Sequence, residues 1–281
     1  TRVGIINVTG YVGVELARLL CRHPGVELVS VTGRSAAGKK LSEVFPHLSG
    51  INLTIESQLG EVDLAFSAMP HKESAKEVIP LLECGIRVID MSADFRLKQT
   101  DIYQRWYNTE HPAPQLLSQA VYGLPELHRA AIRDAKLIAN PGCFPTCSIL
   151  ALAPAVKAGI IRKDIIIDAK TGVSGAGRTL KTGSLFSEAN EDTAAYSTEG
   201  HRHLPEMTQE LGILSSETPR ITFLPHLIPL TRGMLSTCYA GLQMEYMGKN
   251  PAETLMQIYR NFYADEPFVR VTEAPPHTKH T

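Results

Sequence analysis

The chain has 281 residues, 43% of them hydrophobic and 20% charged, with 28 Lys and Arg against 29 Asp and Glu. This length suits two domains with sizeable cores and needs no metal or disulfide staples. A net charge of −1 gives no long-range pull on polyanions, so no nucleic-acid partner is expected, and no apolar stretch approaches the roughly 20 residues of a membrane span.

In chain order, Arg2–Val8 is a β-branched run that reads as a buried strand. Gly10–His23 follows with Val14, Leu16, Ala17, Leu20 and Cys21 on a helical stripe, stopped by Pro24. Val26–Thr32 and Val62–Ser67 are strands, Lys72–Cys84 is a helix ended by Gly85, and Ile86–Asp90 and Leu137–Ala139 are strands again. This alternation predicts βαβ units and a mostly parallel, Rossmann-type sheet. After Cys143 the texture changes. Thr146–Ala158 reads as one apolar-rich helix, and Ile165–Thr171, Arg220–Leu224 and Leu235–Leu242 read as strands. The expected fold class is therefore α/β: a dinucleotide-binding domain over residues 1–142, then an α+β domain over residues 143–281 with a mainly antiparallel sheet.

No signal peptide is visible before the first strand. The five cysteines are an odd number scattered along the chain, which points to reduced thiols and a cytoplasmic protein. The tail Glu273–Thr281 stops without a finishing element, so the natural protein is expected to continue.

Three motifs carry chemistry. The turn Asn7-Val8-Thr9-Gly10-Tyr11-Val12-Gly13 lies between a buried strand and a helix, where a dinucleotide pyrophosphate meets a helix N-terminus. Asn7 stands at the position of the first fingerprint glycine and tolerates a positive φ better than most residues. After the second strand comes no acid for a ribose hydroxyl but Arg34 and Ser35, with Lys39 and Lys40 nearby. These suit a 2′-phosphate and favour NADP over NAD. A solvated basic loop is the plain alternative.

The second motif is Asn140-Pro141-Gly142-Cys143-Phe144-Pro145-Thr146. A thiol where a strand passes into a helix start is favoured as thiolate, and the same N–H groups stabilise an oxyanion on a carbonyl that the sulfur attacks. Cys147, one turn on, reads as packed. A nucleophile of this kind needs an acid/base, and Gly200–Glu206 offers His201 and His203. A zinc site using these histidines with Glu206, Cys143 or Cys147 is a weaker reading, since no characteristic ligand spacing appears. The third motif, Thr171–Arg178, holds Ser174 and Gly175 in a glycine cluster whose backbone N–H groups, beside Arg178, suit a phosphate or the nicotinamide end of a cofactor.

Six ordered motifs then carry a resemblance: GYVG at Gly10–Gly13, SADFRL at Ser92–Leu97, YGLPEL at Tyr122–Leu127, NPGCFPT, SGAGR at Ser174–Arg178 and GHRHLPE. Together they resemble the N-acetyl-γ-glutamyl-phosphate reductase family, arginine-pathway relatives of aspartate-semialdehyde dehydrogenase. The resemblance covers nearly the whole chain. It implies NADPH-dependent reduction of a small-molecule acyl phosphate to an aldehyde through a cysteine thioester, in a homo-dimer or homo-tetramer built through the second domain's sheet. Cys143 matches the nucleophile and His203 the acid/base, with His201 as the alternative. Arg96, Glu126 and Arg178 are implied in substrate binding. Gly10, Tyr11, Val12 and Gly13 would cradle the pyrophosphate, with Ser67, Met69 and Pro70 at the strand edge the cofactor crosses. The chain departs from the family at Asn7 and in lacking the strand and helix that follow the His277–Thr281 region. Competing readings are a reductase of a carrier-linked aminoadipyl phosphate or of aspartyl phosphate, and a non-catalytic NADP-binding module.

Overall fold

The structure, a computed structural model, describes residues 1–247 and 250–280. The chain divides into two units, Thr1–Pro141 and Gly142–Thr281.

The first unit holds strands β1 (Arg2–Ile6), β2 (Glu27–Thr32), β3 (Ile55–Glu56), β4 (Leu64–Ser67), β5 (Arg87–Asp90), β6 (Val121–Tyr122) and β7 (Leu137–Ala139). They form one sheet in the order β3-β2-β1-β4-β5-β7-β6, and every pairing is parallel. Its helices are α1 (Tyr11–Leu20), α2 (Leu41–Val44), α3 (Ser74–Glu83), α4 (Thr100–Tyr107), α5 (Pro114–Leu117) and α6 (Pro125–Asp134). Val14, Ala17 and Leu20 of α1 recur at helical spacing and pack with Val3, Ile5 and Val31 of the strands. Each fully buried Val, Leu or Ile side chain of this kind contributes about 1.5–3 kcal/mol.

The second unit holds α7 (Cys143–Lys157), β8 (Ile161–Thr171), α8 (Phe186–Ala189), β9 (Ala194–Ala195), α9 (Leu204–Ile213), β10 (Arg220–Leu227), β11 (Met234–Leu242) and α10 (Pro251–Phe262). Its sheet runs β11-β8-β10-β9. β11 and β9 pair antiparallel to their neighbours, whereas β8 and β10 run parallel, so the sheet is mixed. Ile165, Ile167 and Ala169 of β8 are buried, while Ile166 between them is 52% exposed, so the two faces differ sharply.

Three boundaries of the second unit differ by three or more residues from the sequence expectation. α7 begins at Cys143 rather than Thr146, because Pro145 falls in the first turn, where no backbone N–H is required of it. β8 begins four residues earlier, at Ile161, through an exposed Arg-Lys-Asp stretch that has no strand pattern of its own. β10 runs past Pro225 to Leu227; its outer neighbour β9 pairs only at His226 and Leu227, so Pro225 lies beside a nearly open edge. The short elements β3, β6, β9, α2, α5 and α8 and the helices α4, α6, α9 and α10 are not among those expected from the sequence, although α4, α6 and α10 are amphipathic.

Candidate active site

Cys143 is the first helical residue of α7, with Gly142 as N-cap, and it is exposed. No side chain caps this helix start and no acid lies in its first turn. Phe144, buried directly after the cysteine, packs edge-on against both histidines, with ring centroids 5.6 Å from His201 and 6.0 Å from His203. The two imidazoles stand 4.7 Å apart. The fold thus gathers His201 and His203 around the phenylalanine that follows Cys143 in sequence.

The histidines differ in environment. His201 is enclosed by Phe144, Phe223 and Tyr196, and burial, helped by the Arg202 charge, pushes its pKa down to about 4. Its Nδ1 accepts the backbone N–H of His203 at 3.1 Å, so the neutral ring carries its proton on Nε2. His203 is the N-cap residue of α9, and its carbonyl accepts the N–H of Met207.

Of two further residues of this site, Tyr196 was not singled out in the sequence and Glu206 only as a possible zinc ligand. Glu206, only 1% exposed, accepts the N–H of Gly142 through Oε1 at 2.7 Å. Tyr196 has its phenol pushed up to about 12 by burial and by the nearby Cys143 sulfur. Glu206 closes the GHRHLPE motif, a usable signal; Tyr196 sits in a polar stretch with none. Cys147 is half-buried near Cys238, whose thiol burial and Cys147 push up to about 12. Among the described residues, no three His, Cys, Asp or Glu side chains converge as a metal site would require.

In the first unit a cavity of about 590 Å³ is lined by Asn7, Thr9, Thr32, Gly33, Arg34, Ser35, Met69, Pro70, Glu73 and Glu77, among others. Asn7 takes φ 63°, the left-handed conformation that the turn requires. Gly13 has to be a glycine: a Cβ there would lie 2.5 Å from the Asn7 carbonyl oxygen and 2.6 Å from Val8 Cα. A Cβ on Gly10 would meet nothing closer than Asn7 Nδ2 at 4.0 Å, so space remains above the start of α1. That helix start has no side-chain cap and no acid in its first turn. Open space over an uncapped helix start is what a pyrophosphate needs, so the cofactor fits these residues. Tyr11 and Val12 are exposed beside it.

Several expected site residues are engaged otherwise. Ser67 is fully buried, its Oγ 2.7 Å from Ser74 Oγ, which in turn donates to Asp90. It stands behind the cavity wall, not on it. Lys39 and Lys40 do not line the cavity. Arg96 is buried and donates to the carbonyls of Asn140 and Met91 at 2.7 and 2.9 Å, bracing the loop that leads to Cys143. The backbone cradle expected at Ser174 and Gly175 is not available. Their N–H groups bond the carbonyls of Thr231 and Gly172, because residues 173–176 form a 3₁₀ turn laced to the loop before β11. Arg178 follows this turn and is exposed. Glu126 lies in the first turn of α6, and its Oε2 is buried with no hydrogen-bond partner among the described residues.

Comparison with known proteins bears on the family and the fold. Residues 2–135 match the semialdehyde dehydrogenase NAD-binding domain, and residues 143–281 match the semialdehyde dehydrogenase dimerisation domain. An N-acetyl-gamma-glutamyl-phosphate reductase of Dehalococcoides mccartyi is 57% identical over all of this chain and 82% of its own length. Its counterpart in Desulfotalea psychrophila is 51% identical over 96% of this chain and 79% of its own. Among solved structures, aspartate semialdehyde dehydrogenase II from Vibrio cholerae matches with TM-score 0.64 at 18% identity, covering 92% of this chain and 78% of its own. The Candida albicans aspartate semialdehyde dehydrogenase with NADP matches at 0.63 and 16%, covering 92% and 75%. At such identities the structural matches speak to fold alone.

Proposed function

This chain belongs to the N-acetyl-γ-glutamyl-phosphate reductase family, and from that premise we propose which of its residues carry the reaction. It is an NADP-dependent oxidoreductase of arginine biosynthesis that reduces N-acetyl-γ-glutamyl phosphate to N-acetylglutamate 5-semialdehyde and phosphate. The observation that carries the residue assignment is that both histidines pack on Phe144, the residue that follows Cys143 at the start of α7.

Cys143 Sγ attacks the γ-carbonyl carbon, the bond to the phosphate oxygen breaks, and a thioester remains on the cysteine. Pro145 has no N–H and the Thr146 N–H already bonds the Gly142 carbonyl, so the donors facing the developing oxyanion are the N–H groups of Cys143 and Phe144. NADPH, when bound, supplies the hydride that reduces the thioester. His203 protonates the oxygen of the resulting thiohemiacetal and takes that proton back as the carbon–sulfur bond breaks, releasing aldehyde and thiolate. His201 is a poor candidate for this role, since burial keeps it neutral and its Nδ1 is engaged by the His203 backbone.

Gly10–Gly13 hold the pyrophosphate, Arg34 and Ser35 the 2′-phosphate, and Met69 and Pro70 line the cofactor path in the first unit. Glu126 takes a substrate polar group; its buried Oε2, with no hydrogen-bond partner among the described residues, supports that reading. The protein forms a homo-oligomer through its dimerisation domain, and the exposed Ile166 of β8 with Leu235 and Tyr239 of β11 supports a homo-dimer.

The test is phosphate-dependent NADP⁺ reduction with N-acetylglutamate semialdehyde, beside aspartate semialdehyde and beside Cys143→Ser. Turnover of the first substrate only, reduced at least about 10³-fold in the variant, is the expected result. Unchanged turnover in Cys143→Ser overturns the nucleophile assignment.

A further inference from the structure

The cavity of the first unit has one cation among its described lining residues, Arg34, and two carboxylates, Glu73 and Glu77. The guanidinium bridges both: Nη1 lies 3.1 Å from Glu73 Oε2 and Nη2 lies 3.5 Å from Glu77 Oε1. Glu73 is the N-cap residue of α3 and Glu77 follows four residues on, so both carboxylates leave the helix on one side.

The partners are unequally anchored. The fully buried Asp94 carboxylate accepts the N–H of Lys72 at 2.8 Å and of Ala75 at 3.0 Å, clasping the backbone on either side of Glu73. Tyr103 donates to the same carboxylate at 2.9 Å and holds it there. The acids therefore stand on a fixed frame. Arg34 sits on a single 3₁₀ turn, with its side chain 74% exposed. Exposed ion pairs of this kind are weak, and Arg34 is the most exposed of the three side chains, so it is the member that moves.

The charge balance follows. One positive and two negative side chains leave the rim negative where a 2′-phosphate would bring about two further negative charges. That phosphate has to draw Arg34 from its carboxylates and remain near them. A 2′-hydroxyl meets neither cost, and carboxylates are the groups that normally receive it.

We propose that Glu73 and Glu77 are specificity-determining residues, which restrain the preference for NADPH over NADH by competing with the 2′-phosphate for Arg34. This rests on the reading of Arg34 as the 2′-phosphate partner. Relieving the competition strengthens NADP binding and leaves NAD binding nearly as it is.

The experiment measures dissociation constants of NADP⁺ and NAD⁺ by titration calorimetry, at low and high salt, for the wild type and three variants. These are Glu73→Gln, Glu73→Gln/Glu77→Gln and Arg34→Leu, with thermal unfolding as the check on folding. The double variant is expected to bind NADP⁺ about five- to tenfold tighter, with NAD⁺ within about twofold of wild type and the gain shrinking at high salt. The single variant, which keeps the test intact if the double variant folds poorly, is expected to gain about two- to threefold. If Arg34→Leu weakens NADP⁺ binding while the glutamine variants leave it unchanged or weaken it, the competition is overturned. If Arg34→Leu leaves NADP⁺ binding unchanged, the 2′-phosphate reading itself falls, and this inference with it.

Discussion

The carboxylate of Glu206 accepts the backbone N–H of Gly142 at 2.7 Å, tying α9, which His203 caps, to the turn that presents Cys143. Nucleophile and imidazole come from segments 60 residues apart in sequence, and their separation has to be held for proton transfer. Glu206→Ala leaves a buried N–H without its acceptor and is expected to cost about 1–3 kcal/mol of stability and to lower kcat. Glu206→Gln keeps an acceptor oxygen and is expected to restore most of the stability. Urea unfolding beside steady-state kinetics checks both; equal stability in wild type and alanine variant would show that the bond holds nothing.

The two histidines should separate by kinetics. His203→Asn is expected to lower kcat by about 10²–10⁴-fold with little change in substrate KM. His201→Asn acts through the position of its neighbour and is expected to lose much less. The reverse order would move the acid/base role to His201.

His201 also sets a pH dependence of stability. Its pKa lies near 4 in the folded chain against an ordinary 6.5, so between those values the folded protein binds fewer protons than the unfolded one. Its contribution is fully present above pH 6.5 and is lost as the pH falls toward 4. Denaturant midpoints across this window should fall more gently for His201→Asn than for the wild type. Parallel curves would refute the assignment.

Gly13 and Gly10 should behave differently as alanines. Gly13→Ala drives a Cβ into the Asn7 carbonyl and Val8 backbone, with an expected cost of about 1–3 kcal/mol. Gly10→Ala has room in the folded chain and is expected to unfold close to wild type while binding NADP⁺ more weakly, because its methyl occupies the space over the helix start. Chemical unfolding and NADP⁺ titration on the same preparations distinguish the two effects.

Tyr239 of β11 and Ile166 of β8 are directly paired across the strands, 56% and 52% exposed. A charge at the centre of this apolar pair should disfavour its burial against a second copy. Tyr239→Glu is expected to sediment as a smaller species than the wild type at equal concentration. Identical sedimentation would place the contact elsewhere.

Much of this protein is written locally in its sequence. The β-branched run before Asn7, the helical stripe after Gly10 and the alternation through Ala139 determine a parallel sheet. Short-range sterics and hydrophobic periodicity act within each segment and need no partner. The asparagine at position 7 and the turn around Cys143 were legible for the same reason: a left-handed φ and a helix start are properties of a few consecutive residues. The tertiary structure decided what depends on long-range packing. Only the fold brings Glu206 to Gly142 and Tyr196 into the electrostatic reach of Cys143. It also commits Arg96 to two backbone carbonyls and closes the N–H groups of Ser174 and Gly175 against Thr231 and Gly172. A donor's partner is settled by which acceptor the buried chain carries past it, and nothing in the donor's own neighbourhood in sequence encodes that choice.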